Sequence, residues 1–271
     1  MLAWRYMDFK YGVQSAMTGR FKLAKIQDLN DSYEMRGACV GSLNPIVEAE
    51  LKQEIEKQYN ASPNINETGV VQRDFNCVFD EIKTRHIDIM KIVLMCRKAY
   101  EELQRVLCFT DASIVDNNSD LLLWGHYADK GRGVRILVDI PDGYIVANVK
   151  YSEQRPILDL SMFNSWVDQD VFGQYIIDSV FTKGLGWAYE HEIRLITSRQ
   201  ASSVIRENGL EFVDFGVSSI HCIDFGPMTL GAEVNPIIEK ISKTEALKHI
   251  RYRVASFDDL RYQYNYKDYS L

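Results

Sequence analysis

Glu190 and Glu192 are the residues of this chain whose type and spacing most directly suggest chemistry. They lie in Trp187-Ala188-Tyr189-Glu190-His191-Glu192-Ile193-Arg194-Leu195-Ile196, where charged and large aromatic side chains run straight into strand-favouring Ile193, Leu195 and Ile196. Side chains alternate along a strand, so a strand here puts Glu190, Glu192 and Arg194 on one face. Tyr189, His191, Ile193 and Leu195 then share the other, mostly apolar face. Two carboxylates about 7 Å apart on one face are costly unless a cation or a ligand hydroxyl answers them. Such proximity raises the pKa of one member, as a general base requires. A helical turn would instead leave Glu190 and Arg194, four positions apart, as a surface ion pair. The β-branched and apolar run after Glu192, with no helix cap before it, favours the strand. Arg194 reads as a salt-bridge partner for Glu192 or a neighbour.

Other polar positions stand out along the chain: Arg5-Tyr6, Asn30-Asp31-Ser32-Tyr33-Glu34, Thr110, and Trp124-Gly125-His126-Tyr127-Ala128-Asp129. Each has a plain structural reading too. Asp31 with Glu34 three places on is a variant capping box. Trp124 and Tyr127, three apart, share a helix face and could simply pack it, with His126 hydrogen-bonded in place.

The elements that must position these residues follow from periodicity and turn chemistry. Short strands are expected at Trp4-Arg5-Tyr6, Arg20 to Leu23 and Val106 to Thr110, with a short helix over Val13 to Thr18 ended by Gly19. Ser119 can cap a helix carrying Leu121, Leu122, Trp124 and Tyr127, which ends in Asp129 to Gly133. Val134 to Ile140, the turn Pro141-Asp142-Gly143 and Tyr144 to Tyr151 read as a hairpin. Helical periodicity runs from Asp159 to Phe181. Two strands follow at Leu210 to Phe215 and Ile220 to Phe225, then a helix over Ala232 to Leu247 and a last strand at Ile250 to Val254. Ile46 to Tyr59 is strongly helical, and Val78, Ile82, Ile89, Val93, Cys96, Tyr100 and Leu103 recur at helical steps, with His86 packed nearby. The expectation is one α+β domain over residues 1–271 with a mixed sheet and a helical insertion at about 45–104.

Composition narrows the function. With 46% hydrophobic and 25% charged residues the chain is that of a globular protein, and a net charge of −7 argues against general phosphate-backbone binding. No signal peptide or membrane-spanning run is read, so a cytoplasmic protein without membrane contact is expected. Five cysteines at irregular spacing, with no C-x-x-C, read as reduced thiols; no pair has zinc-ligand spacing, and no metal is expected. The Walker loop, the G-x-S-x-G elbow and the kinase motifs are absent. Cys108 lies in an apolar strand with no histidine placed to activate it.

Leu123-Trp124-Gly125-His126-Tyr127-Ala128-Asp129 followed by Gly131 to Val134 resembles the W-x-H-Y-A-D…G-V core of a widespread bacterial domain of unknown function. Trp4-Arg5-Tyr6, Asn30 to Glu34 (N-D-P-[FY]-E in the family, with Ser32 here in place of proline), Cys108-Phe109-Thr110, Val149 to Ser152, Lys183 and Trp187 to Leu195 extend the resemblance over nearly the whole chain. A more distant resemblance is to ADP-ribosyltransferases, α+β proteins with a split sheet that clamps NAD. One branch of these carries arginine on an early strand, a serine/threonine segment on a middle strand and Glu-x-Glu on a late strand. Arg5, Thr110 and Glu190-x-Glu192 occur here in that order, with Phe109-Thr110-Asp111 replacing the usual serine-threonine-serine.

The second resemblance implies NAD as substrate, Glu192 as the carboxylate facing an oxocarbenium-like centre, and Glu190 orienting or deprotonating the acceptor. It implies Arg5 on a phosphate or ribose, and Tyr6, Tyr127 or Trp124 stacking a ring. Asn30, Asp31, Thr110 and His126 complete the candidate substrate-binding set. The expected function is an NAD-consuming enzyme, an ADP-ribosyltransferase or NAD glycohydrolase, as a bacterial toxin or anti-phage effector with a protein or nucleic-acid acceptor and a regulatory partner protein. Two alternatives stay open. One is a non-catalytic nucleotide- or partner-binding sensor, with its glutamates buried in ion pairs. The other is a metal-dependent nuclease using Glu190, Glu192, Asp31 and His126.

Overall fold

The computed structural model describes residues 1–33, 35–42, 44–50, 53, 57, 97–163 and 169–269. The strands, in chain order, begin with β1 (Leu2–Met7), β2 (Arg20–Lys22), β3 (Ala38–Val40), β4 (Gln104–Asp111) and β5 (Val134–Asp139). Next come β6 (Ile145–Asn148), β7 (Lys150–Ser152), β8 (Ile157–Asp159), β9 (Thr182–Gly184) and β10 (Glu192–Ser198). The last are β11 (Val204–Glu207), β12 (Leu210–Asp214), β13 (Ile220–Phe225), β14 (Arg251–Phe257) and β15 (Tyr264–Asp268). Four helices matter here: α1 (Phe9–Thr18), α2 (Asn117–Tyr127), α3 (Gln169–Val180) and α4 (Gly231–Lys243).

The chain divides into two compact units. The first comprises Met1–Ala24, Arg105–Tyr151 and Leu185–Leu271; the second comprises Lys25–Gln104 and Ser152–Gly184. In the second unit β3 and β8 pair in parallel, and residues 45–50 and 97–103 are helical. Most of the expected helical insertion, with His86 and the stripe from Val78 to Cys96, lies outside the described residues.

The first unit is built on an eight-stranded sheet of order β15-β14-β13-β5-β1-β4-β10-β6. The sheet is mixed, because β13 and β14 run parallel while β1–β5, β5–β13, β6–β10 and β14–β15 are antiparallel. A parallel pair needs a crossover, and α4 supplies it, burying Val234, Ile238 and Ile241. Those side chains join Val13 and Ala16 of α1 and a row of strand residues, among them Ala3, Leu107, Ile136, Leu195 and Phe225, in the main apolar core. Trp4 and Tyr6 alternate with Ala3 and pack against Leu123 and Trp124 of α2 in a second cluster. The α+β class with a mixed sheet therefore stands. Among the described residues no helix is long and apolar enough to cross a membrane.

Local chemistry sets the helix limits. Asp8 caps α1 by accepting from Tyr11 N at 3.0 Å, and Gly19, at φ 71°, closes it in the left-handed conformation. The cap of α2 is Asp116, not Ser119; the Ser119 amide is the donor to the Asp116 carboxylate, at 2.8 Å.

Two expectations about the strands need correction. Residues 134–140 and 144–151 do not form a hairpin: β5 already has β1 and β13 on its two sides, and β6 pairs with β10 instead. The final strand is also not last, since β15 adds to the sheet edge beyond β14.

After α2 the chain turns through Gly131, at φ 86°, and crosses the end of β13 at Gly226. A Cβ on Gly226 would stand 2.1 Å from the Gly131 carbonyl oxygen and 2.9 Å from the Trp124 ring. Gly226→Ala is therefore expected to lower unfolding free energy by about 1–3 kcal/mol, read as a lower urea midpoint at unchanged slope. An unshifted midpoint would show that this crossing is slack.

Candidate functional site

The expected strand over Trp187–Ile196 is broken in two. Leu185–Glu190 forms a 3-10 helix and β10 begins only at Glu192, with His191 between them at φ 46°. A non-glycine residue in the left-handed region is held there by its surroundings. Here the His191 amide donates to Ala188 O at 3.2 Å and its carbonyl accepts from Asp111 N at 2.9 Å. The Glu192 amide donates to the Tyr151 hydroxyl at 2.8 Å, and its carbonyl accepts from Val149 N at 2.9 Å. Glu190 and Glu192 consequently do not share a strand face, although both carboxylates are buried, at 4% exposure each.

Each glutamate has its own partner. Arg194, the next residue on the same face of β10, binds Glu192 fork to fork, through Nε–Oε1 at 2.7 Å and Nη2–Oε2 at 3.0 Å. Glu190 accepts a hydrogen bond from the Tyr127 hydroxyl at the end of α2.

The neighbouring strands bring in the rest. Because β1, β4 and β10 are adjacent, Arg5, Cys108, Thr110 and Glu192 come from three consecutive strands. Arg5 Nη1 donates to the Cys108 carbonyl, whereas its Nε is buried without a hydrogen-bond partner among the described residues. Burial pulls the Arg5 guanidinium down from its ordinary range, against the opposing effects of Cys108, Glu192 and Tyr127. The Cys108 thiol is pushed up by burial and by Glu192, so it stays protonated; Arg194 and Arg5 act in the other direction. Thr110 is 5% exposed and pairs across with Trp4.

Beside the Tyr127–Glu190 bond lies a run of rings. His126 has its ring centre 6.2 Å from Tyr127 and 6.0 Å from Tyr189, which in turn lies 6.2 Å from Trp187. His126 is exposed, and the other three are half-buried. Trp187 and Tyr189 are not among the candidate site residues read from the sequence.

Two of the candidates in the first unit lie in its interior. Trp124 is fully buried and its indole donates to the Tyr266 hydroxyl at 2.8 Å. Tyr6 is also buried, donating to Asp120 at 2.6 Å and accepting from Arg135 at 3.1 Å. Both are scaffold. Asn30 and Asp31 belong to the second unit, where Asp31 is no helix cap but closes a turn by accepting from Tyr33 N at 2.9 Å.

No protein-family model, curated protein or solved structure matches the chain. The chemistry must be read from the side chains themselves. They offer a half-buried arginine, Arg5, whose buried Nε has no hydrogen-bond partner among the described residues, two anchored carboxylates, a phenol in hydrogen-bond contact with one of them, and a run of half-buried and exposed rings. This combination suits a ligand that carries phosphate, hydroxyl groups and a planar ring.

Proposed function

We propose that the chain consumes NAD, transferring ADP-ribose to an acceptor or releasing nicotinamide by hydrolysis. The observation that carries this reading is the placement of Arg5, Thr110 and Glu192 on adjacent strands β1, β4 and β10. That is the juxtaposition that the early arginine, middle threonine and late Glu-x-Glu of ADP-ribosyltransferases call for, and it also makes the sheet the site's platform.

On this reading each residue has a role. Breaking the nicotinamide–ribose bond builds positive charge on the ribose. The Glu192 carboxylate, held in place by Arg194, accepts a ribose hydroxyl and faces that charge. Arg5 supplies its unpartnered Nε–H and its charge to a phosphate oxygen. His126, Tyr189 and Trp187 give the planar ring a surface to stack on. Glu190, steadied by Tyr127, orients or deprotonates the acceptor. An effector of conflict between cells or against phage is the setting such chemistry fits.

The test is incubation of the pure protein with NAD, with and without lysate protein or nucleic acid as acceptor, followed by chromatography of the products. Nicotinamide release above the protein-free blank is expected. Unchanged NAD under every condition would leave a second reading, a nucleotide-binding module without catalysis. One observation favours that alternative: both Glu192 oxygens are already engaged by Arg194. It predicts saturable NAD binding with no product.

A further inference from the structure

The connection between β14 and β15 is an ordered turn that carries the most exposed large apolar side chains described in the chain. Phe257 and Tyr264 close the hairpin as a cross-strand pair, with ring centres 5.7 Å apart. Inside the turn Asp258 accepts four hydrogen bonds: from Leu260 N at 2.9 Å, Arg261 N at 2.8 Å, Gln263 Nε2 at 3.1 Å and Asn265 Nδ2 at 3.0 Å. Those donors, the Leu260 amide foremost, hold the Asp258 carboxyl down at about 2, so the turn keeps its anion across the physiological range. The Asp258 amide donates to Gln263 O at 3.1 Å, and Asn117 at the start of α2 donates to the Gln263 side chain at 2.7 Å.

The Asp258 carboxylate and the Gln263 side chain are thus spent on the turn's own architecture, and large apolar side chains face water beside the charged Asp259 and Arg261. Leu260 is 93% exposed, Tyr262 94% and Phe257 58%. Tips of this kind are ordinarily polar, and large apolar side chains clustered on a preorganised turn mark a contact surface. The charges beside them select the occupant. Asp259 and Arg261 are both exposed and flank Leu260, one on each side. Two tips related by a two-fold axis through Leu260 set Asp259 of each copy against Arg261 of the other, so the surface is complementary to itself. An anionic lipid surface has no such attraction to a turn with two aspartates and one arginine.

We infer that this hairpin tip is a self-association surface, docking against the same tip of a second copy of the chain. Phe257, Leu260 and Tyr262 from two copies bury about 1,000 Å² together, just under the range of standard specific interfaces. The dimer is therefore weak, with dissociation in the micromolar range and in rapid exchange with monomer.

Sedimentation of the full chain from about 1 µM to about 200 µM tests this. Wild type is expected to move from monomer to dimer across that range. Leu260→Asp should weaken the dimer at least about tenfold without touching the fold, since the side chain is 93% exposed. Asp259→Arg should weaken it as well, and Asp259→Arg combined with Arg261→Asp should restore it. A wild type that stays monomeric, or a Leu260→Asp variant that dimerises as well as wild type, overturns the inference. So does a double charge swap that dimerises no better than Asp259→Arg alone.

Discussion

Asp224→Ala is expected to destabilise the protein by about 3–5 kcal/mol, the usual consequence of removing one member of a buried ion network. Asp224 has no exposed surface. Its carboxylate accepts from Arg135 Nε at 2.7 Å, from Arg253 Nε and Nη2 at 2.6 Å each, and from the Cys222 thiol at 3.3 Å. Beside Asp224 burial pushes that thiol up to about 12, so it acts as a donor. Arg135 continues the network to Asp120 at 2.7 Å, and Asp120 also accepts from the Tyr6 and Tyr266 hydroxyls. The Arg135 guanidinium is sandwiched between aromatic faces, 4.2 Å from the Trp4 ring centre and 4.0 Å from that of Tyr266. Without Asp224, Arg135 keeps Asp120 as its one acidic partner in a site that it cannot leave, and Arg253 loses the carboxylate that its Nε and Nη2 both reach. Urea unfolding measures the loss. Adding Arg135→Met to Asp224→Ala should cost less than the sum of the single effects, because the second change removes the charge stranded by the first. Additive effects would mean that the two residues are not coupled.

That network also explains which parts of the fold could be read from sequence. β4, β10, β12 and β13 carry runs of apolar or β-branched residues, and their burial follows from those runs. β15 reads Tyr-Asn-Tyr-Lys-Asp, with too little apolar content to show as a strand. Its place depends on Tyr266 reaching Asp120, 146 residues earlier, a partnership without local signature. The missed pairing of β6 with β10 has the same cause, since a turn at Pro141-Asp142-Gly143 suggests a hairpin but does not say that both edges of β5 are filled.

The site divides similarly. Glu192 and Arg194 are two apart, so their meeting on one face follows from strand alternation. Glu190 had the same spacing from Glu192, yet the left-handed His191 turns the chain between them. What fixes His191 is an amide from Asp111, and what answers Glu190 is Tyr127, 63 residues away. Trp124 shows the converse. Its motif is conspicuous, and its role is to fill the second core cluster and to hold Tyr266.

Glu192→Gln is expected to reduce NAD turnover by about a hundred- to a thousandfold, mainly through kcat. The amide keeps the shape of the side chain but withdraws the negative charge that, on the proposed reading, faces the ribose in the transition state. The same change leaves the Arg194 guanidinium buried opposite a neutral group, so a drop in stability accompanies it and must be separated from the chemical effect. Two comparisons do so. Arg194→Lys keeps the positive charge but breaks the fork, and should disturb stability with a much smaller fall in kcat. Arg5→Gln would remove the proposed phosphate contact, one made in ground state and transition state alike, and should raise KM while kcat changes little. NAD affinity measured directly on folded Glu192→Gln, with melting recorded on the same samples, closes the argument. A variant that folds and binds NAD but does not release nicotinamide is what a carboxylate acting in the transition state requires. Wild-type rates in Glu192→Gln would instead move the chemistry to Glu190, the other buried carboxylate, where Glu190→Gln and Tyr127→Phe would then carry the loss.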